Sequence, residues 1–159
     1  MKILVISDTH GNTDKLKNEL LPKYAKLVQM VVRLGDYARD LLTLQPDYPC
    51  IAMVGVGGAM EYGEKTERVV VANGCKILLL HGHNIGVKTN LNRITYYARE
   101  KGVDACFFGH THQPMIDTLD GIFFMNPGSL TEPRSAPYCS YSLATISPDG
   151  KITGEVIPV

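Results

Sequence analysis

All five histidines of this 159-residue chain lie in short polar clusters that directly follow apolar runs. The clusters are Asp8-Thr9-His10, His81-Gly82-His83 and Gly109-His110-Thr111-His112. A further apolar run, residues 29–34, ends in Gly35-Asp36. Histidines placed by chance on a surface would be scattered along the chain. We therefore expect a fold in which several strands end at one edge, because the carboxyl ends of strands in an open α/β sheet form the crevice where ligands bind.

The residue types in these clusters are ligands of borderline divalent metals, which accept carboxylate oxygen and neutral imidazole. Asp8 and His10 are two residues apart, so in extended backbone both side chains point to one face and can bind a single ion. Each pair alone is weak evidence, because a lone core histidine is more often a hydrogen-bonded structural residue. Together the clusters supply enough ligands for two metals, and paired metals are used to cleave phosphate esters.

The first half of the chain alternates apolar runs with polar stretches that favour helices. We predict strands over residues 2–6, 29–34 and 50–54. We predict helices over residues 15–21, capped by Thr13-Asp14, over a second piece from Pro22 to residue 27, and over residues 38–44. Strand, helix, strand, helix and strand in so few residues indicate a right-handed parallel arrangement.

The second half of the chain has a more antiparallel pattern. Residues 68–72 and 76–80 flank Asn73-Gly74, which is a strong hairpin signal. A helix over residues 88–101 and a strand over 104–108 follow, and then come hairpins of 115–119 with 122–125 and of 141–146 with 152–157. The sequence predicts an α/β fold of two sheets with helices outside, in one domain that spans residues 1–159.

The composition excludes several classes of function. Sixteen basic side chains balance sixteen acidic ones, so we expect no extended nucleic-acid surface and no attachment to an anionic membrane. The first residues become polar too soon for a signal peptide, and no apolar run approaches the roughly 18 residues of a membrane span. These features favour a cytoplasmic protein. The four cysteines are far apart and beside apolar runs, which favours buried, reduced thiols over a zinc site or disulfides.

The order and spacing of the clusters resemble those of the calcineurin-like metallophosphoesterases, and within them the small single-domain phosphodiesterases of bacteria and archaea. The resemblance covers nearly the whole chain and rests on Asp8-x-His10, Gly35-Asp36, His81-Gly82-His83, Gly109-His110-Thr111-His112, and Asn126-Pro127-Gly128-Ser129 with Pro133-Arg134. It implies a β-sandwich flanked by helices, the αββα fold of the family, which agrees with the strand pattern above.

The resemblance implies a dinuclear site. One metal would be held by Asp8, His10 and His112, a second by His81 and His110, and Asp36 would bridge the two. A metal-bridging hydroxide would attack phosphorus, with Asp36 and His83 as the catalytic groups. His83 would either support the ligands from behind or face the substrate. The mixed Asp and His ligands favour two Mn²⁺ ions, with Fe, Ni or Zn as alternatives.

The chain departs from the family pattern after the third predicted strand. The family has Gly-Asn there, and the Asn amide binds the second metal, whereas this chain has Gly55-Val56. A valine side chain cannot do this, so we expect a weakened second site. Glu61 or Glu64 could replace the missing ligand, although acids in a loop are usually solvated.

Two further positions stay open. Arg33 stands where the family often has a histidine, and it would either meet a phosphate or face solvent. The loop from Asn126 to Ser129 lies near the site in the family, but a Pro-Gly pair is first of all a turn, so a structural role is favoured.

Two classes of function compete. The first is a metal-dependent phosphodiesterase or phosphoesterase acting on a small phosphoester, with a nucleotide-like substrate favoured over a polymer. The second is a catalytically impaired family member that acts as a binding or scaffold protein, because a retromer scaffold subunit resembles this family. The resemblance also suggests a homodimer or homotetramer.

Overall fold

The computed structural model describes residues 1–35, 39–59 and 61–159, and in these residues ten strands form two five-stranded sheets. The first sheet has the order β10-β9-β1-β2-β3. Its strands are β1 (Lys2–Ser7), β2 (Met30–Leu34), β3 (Ala52–Val56), β9 (Ser140–Ile146) and β10 (Ile152–Pro158). β1, β2 and β3 are parallel, whereas β9 is antiparallel to both β1 and β10. The parallel core agrees with the predicted alternation of strands and helices.

The second sheet has the order β4-β5-β6-β8-β7. Its strands are β4 (Glu67–Ala72), β5 (Cys75–Leu80), β6 (Ala105–Phe108), β7 (Met115–Leu119) and β8 (Ile122–Asn126). β5, β6 and β8 are parallel, and hairpins add β4 and β7 at the two edges. The predicted Asn73-Gly74 turn is confirmed, with φ of 47° and 79°, the left-handed values that a two-residue hairpin turn requires.

Helices cover the outer faces of both sheets. They are α1 (Leu21–Tyr24), α2 (Arg39–Thr43) and α3 (Asn92–Lys101), with a π-helical segment at Leu16–Leu20 and a 3₁₀ turn at Gln45–Asp47. The π segment runs directly into α1, so the predicted break at Pro22 is wrong. Proline cannot donate a backbone hydrogen bond and its ring crowds the preceding turn, and a widened turn before Pro22 relieves both problems.

The central strands of each sheet are buried on both faces, which explains their unbroken apolar runs. In β1, Ile3 and Val5 point into a core shared with the second sheet, while Leu4 and Ile6 pack against the helical layer around Leu21. The second sheet repeats this arrangement, with its outer face packed on α3. The predicted two-sheet sandwich flanked by helices is confirmed.

Several predicted boundaries move. β3 runs from Ala52 to Val56, two residues later than predicted, because Gly55 pairs with Arg33 inside the strand instead of ending it. α3 begins at Asn92 rather than at residue 88, since turns occupy the preceding residues. Ala38, the predicted start of α2, lies outside the described residues.

The cysteines and the helices test two further predictions. All four cysteines are free; Cys75 and Cys106 are buried as predicted, whereas Cys50 is exposed. Among the described residues, no helix combines the length and the apolar character needed to span a bilayer.

Candidate metal centre

The polar clusters after β1, β5 and β6 leave their strands at the same end of the sandwich. Backbone in the left-handed region makes the bends, with φ of 50° at Asp8, 48° at His10, 67° at His110 and 59° at His112. Such conformations cost on the order of 1–3 kcal/mol each and are concentrated at functional sites. The prediction that extended backbone aligns Asp8 with His10 is therefore wrong, because left-handed turns bring the two side chains together.

Asp8, His10 and His112 offer ligand atoms that all lie within 4.8 Å of one another. In the part of the chain that the structure describes, this is the one group of three or more His, Cys, Asp or Glu side chains with that spacing. Asp8 and His112 are buried, whereas His10 is partly exposed and its Nε2 lies 3.5 Å from Glu132 Oε2. Three predicted ligands thus converge, two from the loop after β1 and one from the loop after β6.

Asp8 lies at the centre of the site. Its Oδ1 is 3.1 Å from His112 Nε2 and 3.2 Å from His81 Nε2. Its Oδ2 accepts hydrogen bonds from Ser7 Oγ at 2.5 Å and from the backbone N–H of His110 at 3.0 Å. Burial raises the pKa of the Asp8 carboxyl, but hydrogen bonds with His112, His81 and Ser7 and the charge of His81 together outweigh burial and hold that pKa far below its usual range. The carboxylate therefore stays charged in this buried position.

The His112 ring is oriented from behind by a backbone carbonyl. Its Nδ1 lies 2.5 Å from Glu132 O, so Nδ1 carries a proton and donates it to that carbonyl. In the neutral ring, the lone pair of Nε2 then faces Asp8 Oδ1, and two acceptors at 3.1 Å need a cation between or beside them. Burial lowers the pKa of His112, but the hydrogen bond with Asp8, the Asp8 charge and the Glu132 carbonyl together raise it by more, so the net shift is upward. The donor set fits either a proton or a metal ion.

His81 and His110 form a second pair, with ring centroids 4.8 Å apart. The His81 ring covers Gly35, where a Cβ atom would collide with it, so glycine is needed for this close approach. His83 contacts His81, with 3.2 Å between the two Nδ1 atoms, and its ring lies 6.3 Å from that of His110. Asp36, the predicted bridging ligand, lies outside the described residues, so its role stays a prediction.

The ring of His110 is kept neutral by its surroundings. Burial, the neighbouring His81 and the cation of Lys88 lower the pKa of His110 to about 4. Metal binding to an imidazole requires the neutral form, so no proton has to be displaced from this ring near neutral pH.

The end of β3 corrects the interpretation of Val56. Val56 pairs with Leu34 and its side chain is buried in the core between the sheets, so it does not face the site. Gly57 and Gly58 follow Val56 beyond the end of β3. No side-chain amide is present at either position. Glu61 is half-buried, and its Oε2 accepts a hydrogen bond of 2.7 Å from the Gly58 N–H.

The loop from Asn126 to Ser129 has a structural role, as favoured by the sequence. Asn126 is fully buried and its Nδ2 donates to Thr111 Oγ1, between the two histidines of the β6 loop. Ser129 Oγ donates to Asp8 O at 2.8 Å and accepts from the backbone N–H of Glu132 at 2.9 Å. This loop therefore holds the β1 and β6 clusters in place.

The supporting roles of two residues were not predicted from the sequence. Arg33 is fully buried and its Nη2 donates to Thr9 Oγ1, so a solvent-facing position is wrong. Its placement within the apolar strand β2 is a signal that could have indicated burial. Glu132 orients His112 through a backbone carbonyl, and the residue type carries no signal for such a contact.

Comparison with known proteins gives a family and relatives. The model of the calcineurin-like phosphoesterase superfamily domain matches residues 1–149. The probable metallophosphoesterase YsnB of Bacillus subtilis is 33% identical over 149 residues, which cover 94% of this chain and 86% of that protein. The probable metallophosphoesterase MJ0623 of Methanocaldococcus jannaschii is 30% identical and is aligned over 100% of this chain and 82% of its own length.

Solved structures share the fold. A Streptococcus pneumoniae protein described as a predicted phosphoesterase superposes with a TM-score of 0.75 at 27% identity, over 99% of this chain and 97% of that one. Entamoeba histolytica Vps29 complexed with zinc gives a TM-score of 0.72 at 24% identity, over 99% of each chain. At that identity, the second likeness concerns the fold alone.

Proposed function

The chain belongs to the calcineurin-like phosphoesterase superfamily, and from this premise we propose that it is a metal-dependent phosphodiesterase with a dinuclear centre. The observation that carries the proposal is the convergence of His10 and His112 on the buried, charged carboxylate of Asp8. A buried carboxylate is costly unless its surroundings compensate it, and a cation bound between Asp8 and the facing imidazole nitrogens would do so. The site therefore supports metal binding independently of the family.

In this proposal, Asp8, His10 and His112 would hold the first ion. His81 and His110 would hold the second, and Asp36 would contribute to both. Such ions, when bound, lower the pKa of water and stabilise negative charge on phosphate oxygens. The mixed carboxylate and imidazole set favours Mn²⁺, with Fe, Ni or Zn as alternatives.

The chain's own residues orient these ligands. Glu132 O fixes the tautomer of His112, and the contact of His83 with His81 Nδ1 can do the same for His81. His83 is half-buried, so it is able both to support His81 and to meet a substrate oxygen. We propose that His83 donates a hydrogen bond to the phosphate when it faces the substrate.

The test is hydrolysis by protein stripped of metal with a chelator. Addition of Mn²⁺ should restore the release of p-nitrophenolate from bis(p-nitrophenyl) phosphate in a saturable manner, and p-nitrophenyl phosphate should be the poorer substrate. Asp36→Asn should lose this activity. Asp14→Asn is the matched control, because it makes the same change at an exposed position beyond the loop that follows β1.

A scaffold function is the second candidate. It is favoured by the absence of a side-chain amide after β3 and by the likeness of the fold to Vps29. Failure of the stripped protein both to bind Mn²⁺ and to hydrolyse either substrate would support the scaffold. Binding of Mn²⁺ without turnover would instead indicate an impaired enzyme. Assembly as a homodimer or homotetramer stays a prediction that sedimentation can test.

A further inference from the structure

A cavity of about 520 Å³ opens beside the candidate metal centre, between the segment that leads into α3 and the loops after β6 and β8. Four apolar side chains line it, those of Val87, Leu91, Phe108 and Met115, and two cations, Lys88 and Arg134, line it as well. This volume is in the range of small-molecule sites, which combine an apolar lining with a few polar groups that fix orientation. The metal centre as described above does not use these six residues as ligands.

The cavity borders the loop that carries His110 and His112. Thr111, which also lines the cavity, lies between His110 and His112 in the chain. The charge of Lys88 acts on His110, and the charge of Arg134 acts on His112, so each cation lies close to one of the two histidine groups. A molecule whose phosphorus is at the metals can therefore extend into the cavity.

The two cations are available to a ligand. Among the described residues, no carboxylate lies within salt-bridge distance of Lys88 or Arg134, whereas Arg99 and Lys101 of α3 are both paired. Arg134 is also held in left-handed backbone, with φ of 49°, a conformation that non-glycine residues adopt at a cost. Cations that lack a carboxylate partner and lie beside apolar side chains are suited to bind an anion that is attached to an apolar group.

We infer that this cavity binds the organic part of the substrate, and that the substrate is a phosphoester that carries both a flat group and a second anionic group; a nucleoside diphosphate combines these two groups and serves as the binding probe. The flat group would pack on Leu91 and Met115. The second anion would lie by Lys88 and Arg134. This inference rests on the proposed function for its assignment of the metal-bound phosphate, but the cavity can be tested without metal.

The test measures binding of ADP, adenosine and pyrophosphate to the full-length protein in EDTA at fixed, low ionic strength, by titration calorimetry. ADP should bind at least about tenfold more tightly than adenosine, which lacks the anion, and than pyrophosphate, which lacks the flat group. Lys88→Gln and Arg134→Gln should each weaken ADP binding about threefold to tenfold and leave adenosine binding unchanged. Leu91→Ser should weaken ADP and adenosine alike.

Lys26→Gln is the matched control, because it removes the same charge from an exposed turn before β2, at the opposite end of the sheet. The inference is overturned if ADP binds no more tightly than adenosine, or if the two cation variants behave like Lys26→Gln. Binding of ADP as expected, together with no phosphoester hydrolysis in Mn²⁺, would overturn the proposed function and leave the cavity assignment standing. Phosphoester hydrolysis in Mn²⁺, together with ADP binding that does not depend on Lys88 and Arg134, would overturn the cavity assignment and leave the proposed function standing.

Discussion

At the scale of single residues, Asp8 has a demanding environment. Its carboxylate is buried and charged, and one of its oxygens faces imidazole nitrogens from two different loops. A buried charge of this kind is stable only when its surroundings compensate it, and the compensation here comes from His81, His112 and Ser7. Because two of these partners, His81 and His112, are themselves ligand candidates, a metal ion would add to the same compensation.

Asp8→Asn tests this role directly. The substitution keeps the shape of the side chain but removes its charge, so Mn²⁺ affinity should fall at least about 100-fold, equivalent to about 2.8 kcal/mol. Titration calorimetry on stripped protein measures the loss. Asp14→Asn, the same exchange at an exposed position, should leave Mn²⁺ affinity within about twofold. Equal affinities for the two variants would remove Asp8 from the ligand set.

The pKa of His110 predicts how stability depends on pH without metal. Burial, His81 and Lys88 lower this pKa from 6.5 to about 4, so the folded state favours the neutral ring. The stabilisation is complete above the unfolded pKa and is lost as the pH falls from 6.5 towards 4. After allowance for partial exposure, the loss attributable to His110 should be about 1–2 kcal/mol.

Urea unfolding in EDTA at about pH 7 and about pH 4.5, one on each side of the ordinary histidine pKa, measures this loss of stability. In His110→Gln the ring is absent, so the free energy of unfolding should fall less between the two pH values than in the natural protein. His112 titrates with the opposite sign, because its pKa is raised, and it is present in both proteins. An identical fall in both would show that His110 does not carry the dependence.

At the scale of elements, the register of β3 decides what can occupy the site. Val56 is the last residue of this strand and is buried among the residues that join the two sheets. A polar side chain at Val56 would enter that core, whereas Gly57 and Gly58 lie beyond the strand. The side-chain amide of the family pattern is therefore missing from the residues that follow β3, and Val56 is not the cause of its absence.

Val56→Asn should therefore destabilise the protein and leave Mn²⁺ affinity no higher. It removes a buried apolar side chain and adds an amide that lacks a partner there, a change that costs about 2–4 kcal/mol. Val69→Asn on β4 is the matched control, since Val69 is 50% exposed, and its cost should stay below about 1 kcal/mol. Urea unfolding compares the two. A tighter Mn²⁺ site in Val56→Asn would return Val56 to the position proposed from the sequence.

Prediction from the sequence succeeded where local pattern and burial agree. The apolar runs of β1, β2 and β5 are continuous because both faces of their sheets are covered, and each ends at a polar cluster. The prediction of where β3 ends failed. Glycine often marks the end of a strand, but Gly55 is held inside β3 by pairing with Arg33. That pairing is a tertiary contact, which a local pattern does not contain.

The candidate site shows the same division. Asp8, His10 and His112 were identified from residue type and position after strands, and they converge. Their convergence through left-handed backbone was not predicted, since non-glycine residues rarely adopt it. The backbone carbonyl of Glu132 and the burial of Arg33 depend on the packing of remote segments, so residue identity alone does not specify them.

At the scale of the whole molecule, the candidate ligands connect the two sheets. Asp8 and His10 follow β1 in the first sheet, and His112 follows β6 in the second. A metal ion held by all three would therefore cross-link the sandwich at one end. Since the ion binds the folded state and an unfolded chain does not preserve this arrangement, metal should raise the stability of the whole fold.

Thermal unfolding of the stripped protein with increasing Mn²⁺ tests this cross-link. At a metal concentration about 100 times Kd, the stabilisation should be about 2.7 kcal/mol, which corresponds to a rise in Tm of about 5–10 °C for a domain of this size. Mg²⁺ should give a smaller rise, because it prefers oxygen ligands and this group contains two imidazoles. His10→Ala should reduce the Mn²⁺ shift measured from its own metal-free Tm, since His10 is one of the three converging donors. An unchanged shift in His10→Ala, or an equal response to Mg²⁺, would show that the ion does not bind where the two sheets meet.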